Sequence, residues 1–237
     1  MTSAHIYIGT AGWNVPKRYA ADFPAEGSHL VRYAQRLNAV EINSSFYRPH
    51  RTATYERWAA SVPADFRFAV KVPKAITHEC RLAGCNDLVA RFLSEIGGLG
   101  GKLAVLLVQL PPSLAYDRAV APDFFRHLHG SCDGTIVCEP RHASWFAAEV
   151  EEVLRDLDIA RVAADPEPVS GAGTPGGWDG ITYYRLHGSP RIYYSHYGSE
   201  ALAGLDRRMQ GRSVSGPVWC IFDNTAAFAA LGNALAL

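Results

Sequence analysis

The sequence predicts a single α/β domain of the TIM-like, eight-fold barrel kind over residues 1–237. Three observations carry this expectation. Short runs rich in β-branched and aromatic residues recur eight times, helical patterns lie between them, and polar side chains gather at the C-terminal end of nearly every run. Strand–helix alternation implies parallel pairing, and eight such units in about 250 residues close into a barrel.

The runs, in order, are "HIYIG" (5–9), "NAVEIN" (38–43), "FRFAVKV" (66–72), "LAVLLVQL" (103–110), "TIVCE" (135–139), "IARVAAD" (159–165), "ITYYRLHG" (181–188) and "PVWCIFDN" (217–224). Val, Ile, Phe and Tyr dominate them, as a pleated surface favours. Between them, "NDLVARFLSEIGG" reads as a helix capped by Asn86, with Leu88, Phe92 and Ile96 on one face and a stop at Gly97. "SWFAAEVEEVLRDLD" reads as a helix capped by Ser144 and carrying Val150, Val153, Leu154 and Leu157 on its apolar side. "TAAFAALGNALAL" supplies a C-terminal helix of small residues. Two connections stand out: the Gly/Pro-rich 166–180 loop, read either as a lid or as a surface insertion, and the tyrosine-rich 188–198 segment.

Composition narrows the function classes. Apolar residues make up 48% of the 237, enough to bury a core of roughly 70% of the unfolded surface. Lys+Arg and Asp+Glu both count 23, and zero net charge argues against a general nucleic-acid or membrane-surface binder; a nucleic-acid substrate would need a continuous basic groove. The five cysteines (80, 85, 132, 138 and 220) are odd in number and form no CxxC pair, which points to reduced thiols; Cys138 and Cys220 lie inside strand runs and read as core residues. The start, "MTSAHIYIGT", has neither a basic region nor a long apolar one, and "LAVLLV" is far too short to span a bilayer. The expectation is a cytoplasmic protein with no membrane partner.

The polar residues are the functional signal. In a parallel barrel the C-terminal strand ends form the active face. Those ends carry Glu41 and Asn43, Lys71, Gln109, Glu139 with Arg141 and His142, Asp165, Arg185 and His187, and Asp223 with Asn224. Side chains alternate along a strand, so Glu41 and Asn43 share a side, as do Arg185 and His187. If those sides face the barrel axis, the groups converge, and Glu41 or Glu139 pairs with Lys71, Arg141 or Arg185. "EPRHASW" (139–145) is then one-eighth of a rim.

The motifs "IGTAGW", "VEINSSFYRPH", "VPADFRFAVKVPKAITH", "LLVQLPPSL", "EPRHASWF", "YYRLHG" and "FDNTAAFAALGNAL" together resemble the YecE-like domain-of-unknown-function family, number seventy-two in that series, from about residue 6 to the C-terminus. The resemblance implies a TIM-like barrel and no particular activity. Its motif residues fall here on Gly9, Trp13, Glu41, Asn43, Phe46, Tyr47, Lys71, Thr77, His78, Gln109, Pro111, Glu139, Arg141, Ser144, Trp145, Asp165, Arg185, His187, Gly188 and Asn224. The chain departs from the family pattern at Pro140, where Phe is usual, and at Asp223, where Asn is usual and where an aspartate would add a negative charge to the site.

These residues support an enzyme, of hydrolase or isomerase type, that uses acid/base chemistry on a small polar or anionic substrate, phosphorylated or sugar-like. Glu139 is the leading general acid or base, with Glu41 or His187 as its counterpart and His78 as a rim proton carrier. The alternative for each glutamate is to anchor an arginine or lysine. Lys71, Arg141 and Arg185 would clamp the anion, with internal ion pairing as the plainer reading. Asn43, Gln109 and Asn224 add polar lining, and Trp13, Tyr47 and Trp145 wall the pocket, with core packing the competing role for Trp145. No Gly-rich phosphate loop is present to support a nucleotide cofactor. The second reading is a divalent-metal enzyme using Glu139, Asp165, His187 and Asp223, and a third is a barrel that binds its ligand without chemistry.

Overall fold

The computed structural model describes residues 5–213 and 216–237. Among these residues the strands are β1 (Ile6–Thr10), β2 (Ala39–Ile42), β3 (Arg67–Lys71), β4 (Leu103–Gln109), β5 (Thr135–Glu139), β6 (Ala160–Arg161), β7 (Ala163–Asp165), β8 (Gly176–Gly177), β9 (Thr182–Leu186) and β10 (Val218–Phe222). They hydrogen-bond in two runs, β2-β3-β4-β5-β6-β8 and β1-β10-β9-β7, and every pairing is parallel except β6 with β8.

Both seams between the runs are bridged. β6 and β7 are two halves of one strand interrupted at Val162: the first half pairs with β5 through Val137 and Ala160, and the second pairs with β9 through Ala163 and Tyr184. At the other seam Ala11 bridges Glu41, and the Gly12 N–H donates to the Glu41 carbonyl at 2.9 Å. A side chain at Gly9 would put Cβ 2.3 Å from the Ala39 carbonyl oxygen, so glycine is what lets β1 approach β2 here. The eight staves are β1, β2, β3, β4, β5, the β6–β7 strand, β9 and β10, and the fold is a TIM-like α/β barrel. β8 is an added antiparallel pair contributed by the 166–180 loop.

The helices are α1 (His29–Tyr33), α2 (Ser44–Tyr47), α3 (Thr52–Ala60), α4 (Asn86–Ile96), α5 (Val120–His129), α6 (Ala148–Asp156), α7 (Ser199–Arg212) and α8 (Ala229–Ala236). α4 buries Val89, Phe92 and Ile96, an i, i+3, i+7 stripe, while Leu88 turns outward and is 38% exposed. α5 begins where Asp117 Oδ1 accepts the Ala119 and Val120 N–H groups, and its Pro122 sits in the first turn, where a missing donor does no harm.

Both expected caps are corrected. Asn86 is the first residue inside α4, behind a Cys85 cap that contributes no side-chain bond. Ser144 lies in a 3-10 turn (Ala143–Phe146), and α6 starts only after Ala147. The Ser144 hydroxyl is engaged elsewhere: it accepts the Tyr116 N–H at 2.7 Å and bonds His142 Nδ1 at 2.9 Å.

Strand alternation divides the core into two layers. Ala39, Ala69, Val105, Leu107, Val137, Ala160, Val162, Tyr183, Trp219 and Ile221 fill the barrel interior. Their strand neighbours, such as Val40, Val70, Leu106, Cys138, Cys220 and Phe222, pack outward under the helices. Burial pushes the Cys138 and Cys220 thiols up, in keeping with core roles. The 166–180 loop is pinned from below. Arg161, pointing outward, pairs with Glu151 and donates Nη1 to the carbonyls of Gly171 (3.2 Å) and Thr174 (3.1 Å). Glu151 in turn accepts the Gly177 N–H at 2.5 Å.

Candidate active site

The interior register, carried on to the C-terminal mouth, selects the site. Stepping by two from Ala39, Ala69, Leu107, Val137, Tyr183 and Ile221 reaches Glu41, Lys71, Gln109, Glu139, Arg185 with His187, and Asp223. Most of these side chains are brought together by one fully buried guanidinium. Arg185 is 0% exposed and touches three carboxylates. Its Nε and Nη2 make a two-pronged contact with Glu41 at 3.0 and 2.7 Å, Nη1 donates to Glu139 at 2.5 Å, and Nη2 also reaches Asp223 at 3.1 Å. Arginine suits this place because its planar fork serves several carboxylate oxygens at once.

A second ring of bonds closes around the first. Tyr183 donates its hydroxyl to Glu41 at 2.9 Å. Arg141 donates Nη2 and Nε to Glu139 at 2.9 and 3.1 Å. His187 spans the gap between two acids, with Nδ1 3.0 Å from Asp223 and Nε2 3.2 Å from Glu139. Asn43 donates to Asp223 at 3.5 Å, and its own buried Oδ1 has no partner among the described residues.

The charges set one another. Burial alone would raise Glu139, but Arg185, His187 and Arg141 hold its carboxyl well below the usual range. Burial would raise Asp223 too, and Arg185, His187 and Lys71 bring it down. His187 moves the other way: burial disfavours its cation, yet Glu139 and Asp223 raise it above an ordinary histidine. Lys71 differs from all of these. Burial, followed by repulsion from Arg185, brings its ammonium down to about 8 against the opposing pull of the carboxylates. Its Nζ stands 4.1 Å from the centre of the Phe46 ring and makes no hydrogen bond or ion pair among the described residues. His78 lies edge-on to the same ring at 5.0 Å and bonds Thr77 Oγ1 at 2.9 Å; burial and then Lys71 and Arg141 lower it.

Aromatic side chains rim this mouth. Tyr47, edge-on to Phe46 at 5.0 Å, is 75% exposed. Tyr193, from the 188–198 segment, stands edge-on to His187 at 5.9 Å. Gly188 (φ +96°) turns the chain into that segment at a point where a Cβ would meet the Ser195 carbonyl oxygen at 2.8 Å.

Other expected site residues make their contacts outside the ionic cluster. Trp145 is 1% exposed, donates Nε1 to the Leu114 carbonyl at 2.9 Å and packs edge-on to Tyr116 and Phe125, so it belongs to the outer core. Asn224 is one step out of the interior register and faces away from the cluster. Its amide ties the Ser195 carbonyl (2.8 Å) and Asn233 (2.9 Å), fastening the 188–198 segment to α8. Trp13 packs edge-on to Trp58, at 4.9 Å. Gln109 points inward but spends its amide on the Leu110 carbonyl at 2.7 Å.

The four-residue metal set is also corrected. Asp165 falls out of step with Ala160 and Val162 and faces outward, where its carbonyl receives the His187 N–H and the Tyr197 hydroxyl. Glu139, His187 and Asp223 do meet, but around the Arg185 guanidinium, which takes the position a cation would need. No group of three or more His, Cys, Asp or Glu side chains among the described residues is arranged to hold a metal ion.

Tyr183 and Tyr193 are site residues that sequence reasoning missed. Tyr183 had a usable signal, since it alternates with Arg185 and His187 in "ITYYRLHG". Tyr193 had only its place in a tyrosine-rich segment, because a loop carries no periodicity to aim its side chain.

Comparison with known proteins agrees with this architecture. The model of the family described as "Protein of unknown function DUF72" matches residues 7–237. The UPF0759 protein YecE of Escherichia coli (strain K12) is 31% identical over 173 residues, 70% of this chain and 61% of that protein, so the match spans about three-fifths of the relative's length. Among solved structures, a DUF72 family protein of Enterococcus faecalis V583 superposes with a TM-score of 0.82 at 20% identity, covering 98% of this chain and 93% of the other. A DUF72 family protein of Thermotoga maritima MSB8 gives 0.79 at 24% identity, covering 98% and 96%. Those two likenesses extend to the fold. With a family match over nearly its whole length, the chain belongs to the DUF72 family.

Proposed function

We propose that the chain is an enzyme performing acid/base chemistry on a small anionic substrate, phosphorylated or sugar-like, at the C-terminal mouth of the barrel. The observation that supports this most directly is the charge balance. Three carboxylates (Glu41, Glu139 and Asp223) meet three cationic groups (Arg185, Arg141 and His187), and Lys71 is left over as a cation without a carboxylate partner. An anion beside Lys71 and Arg141 completes the balance, and Arg141, at 22% side-chain exposure, is the guanidinium that solvent reaches.

The geometry also redistributes the roles. Glu139 is held ionised by three cationic neighbours, so it acts best as the anchor that aims Arg141 and His187 rather than as a proton donor. Glu41, with three donors on its two oxygens, serves as the platform for Arg185. Proton transfer falls to Lys71 and His78, both lowered from their ordinary values and facing the same ring. A divalent-metal hydrolase has the Arg185 guanidinium against it.

The test is thermal stability against inorganic phosphate, sugar phosphates and carboxylates, followed by turnover assays on any hit. A ligand at a hundred times its Kd adds about 2.7 kcal/mol, which is a shift of roughly 5 °C or more for a domain of this size. The shift is expected to shrink in Arg141→Ala and Lys71→Met. Indifference to every anion overturns the reading, and a hit recovered chemically unchanged after long incubation reduces it to binding alone.

A further inference from the structure

We propose that Lys71 is a covalent nucleophile: its Nζ condenses with the carbonyl carbon of an aldehyde or ketone that carries a phosphate or carboxylate, forming an imine. The proposal rests on the anion-binding reading above and deepens it by naming the substrate class. It is carried by the place and company of the amine.

The chain uses arginine for nineteen of its 23 basic side chains, and its four lysines are Lys17, Lys71, Lys74 and Lys102. Lys74 pairs with Glu79 at 3.2 Å, Lys102 donates to two carbonyls at 2.7 and 2.6 Å, and Lys17 is exposed. Lys71 alone projects from the inner face of the barrel, at the C-terminal end of β3, where substrates of barrel enzymes bind. It is also the one basic side chain of the cluster, apart from histidine, that can shed its proton, because a guanidinium stays charged.

Its surroundings make the free amine more accessible than in an ordinary lysine. Burial strips water from the ammonium, Arg185 repels it, and the carboxylates that would hold it charged are already bonded to Arg185, Arg141 and His187. An ammonium meant only as a fixed counter-charge would sit on one of those carboxylates. Desolvation beside another cation is a recognised way to activate a lysine toward carbonyls.

The step balances within the site. The Nζ lone pair attacks the carbonyl carbon, the C=O π pair moves to oxygen, and a proton passes from nitrogen to that oxygen to give a carbinolamine. The His187 imidazolium then protonates the hydroxyl, which leaves as water while the nitrogen lone pair closes the C=N bond. Arg141 holds the anionic group of the substrate, and no oxidant or reductant takes part.

Borohydride trapping tests this on the intact chain. Protein is incubated near pH 7 with pyruvate or dihydroxyacetone phosphate, reduced with sodium borohydride, digested and mapped by mass spectrometry. With its ammonium brought to about 8, Lys71 holds roughly two hundredfold more free amine at pH 7 than an ordinary lysine. The peptide containing Lys71 should therefore gain the mass of the probe less one oxygen, in large excess over the peptides of the other three lysines, and Lys71→Arg should abolish the gain. Labelling spread evenly over all four lysines, or no adduct on Lys71 with either probe, overturns the proposal. If any of the anions above still stabilises the wild-type protein in that event, the anion-binding reading stands without the imine; if none does, both fall.

Discussion

Arg185 and Arg161 are both buried arginines, at 0% and 7% exposure, on strands that reach the same half of the barrel, and they do opposite work. Arg185 is in step with Tyr183 and points inward, where it joins Glu41, Glu139 and Asp223. Arg161 is one step out of register with Ala160 and points outward, where it holds Glu151 and the carbonyls of Gly171 and Thr174. The first organises a site and the second staples a loop. What separates them is the parity of a strand position.

The comparison predicts its largest effect at Arg185. Arg185→Leu leaves three carboxylates facing one another in the interior, and removing one partner from a buried ionic network costs about 3–5 kcal/mol. For a domain of this length that lowers the melting temperature by roughly 10 °C or more. Arg185→Lys keeps the charge but loses the fork, and should fall between the variant and the wild type. Arg161→Leu should cost only about 1–3 kcal/mol, because it gives up neutral carbonyls and a glutamate whose side chain is 20% exposed and can recover water. Calorimetry showing Arg161→Leu to be the worse of the two would break the comparison.

The next effect is in pH. His187 is raised in the folded state, so its ionic bonds contribute stability fully below about pH 6.5, the unfolded value, and lose it as pH rises through the folded one. Glu139 and Asp223 are lowered, so their contribution is present above the ordinary carboxylate range and is lost as pH falls through their folded values. The stability gap between wild type and His187→Gln, from urea midpoints, should be widest near pH 5–6 and shrink toward pH 9. A gap that widens with rising pH would mean that the histidine is held neutral.

Much of this was legible in the sequence, and for a physical reason. Glu41, Lys71, Glu139, Arg185, His187 and Asp223 stand at strand ends, and a strand carries a period of two that aims a side chain once its neighbours are known to be interior. The same rule, applied without knowing the register, left Asp165 and Asn224 in the candidate set. Val162 interrupts one strand and Asn224 follows Asp223 by a single residue, so each error is one step of parity. Trp145 was ambiguous because its large apolar area suits a pocket wall as well as a core, and only the Leu114 carbonyl at its indole N–H decides. The pinning of the 166–180 loop was not legible, because its anchors, Arg161 and Glu151, come from other elements.

That pinning gives a sharper test of the outward arginine. Arg161→Ala removes the donors to Gly171 and Thr174, and Glu151 loses the partner that holds it beside Gly177. Brief digestion with thermolysin should then cut within 166–180 in the variant, with the rest of the barrel intact, while the wild type resists at that loop. A loop equally resistant in both proteins would show that β8 pairing alone secures it.

The smallest effect isolates parity itself, in two adjacent tyrosines. Tyr183 faces inward and donates to Glu41 at 2.9 Å, whereas Tyr184 faces the outer layer and its hydroxyl bonds no group among the described residues. Tyr183→Phe removes a hydrogen bond to a charged acceptor that keeps its two bonds from Arg185, a loss of about 1.5 kcal/mol or roughly 3–6 °C. Tyr184→Phe should stay within about 0.5 kcal/mol of the wild type. The two substitutions delete the same atom from neighbouring residues of one strand, so side-chain chemistry and local propensity cancel between them. A difference in melting temperature then reports which face of β9 carries the ionic network, and equal values would mean that Glu41 is held by Arg185 alone.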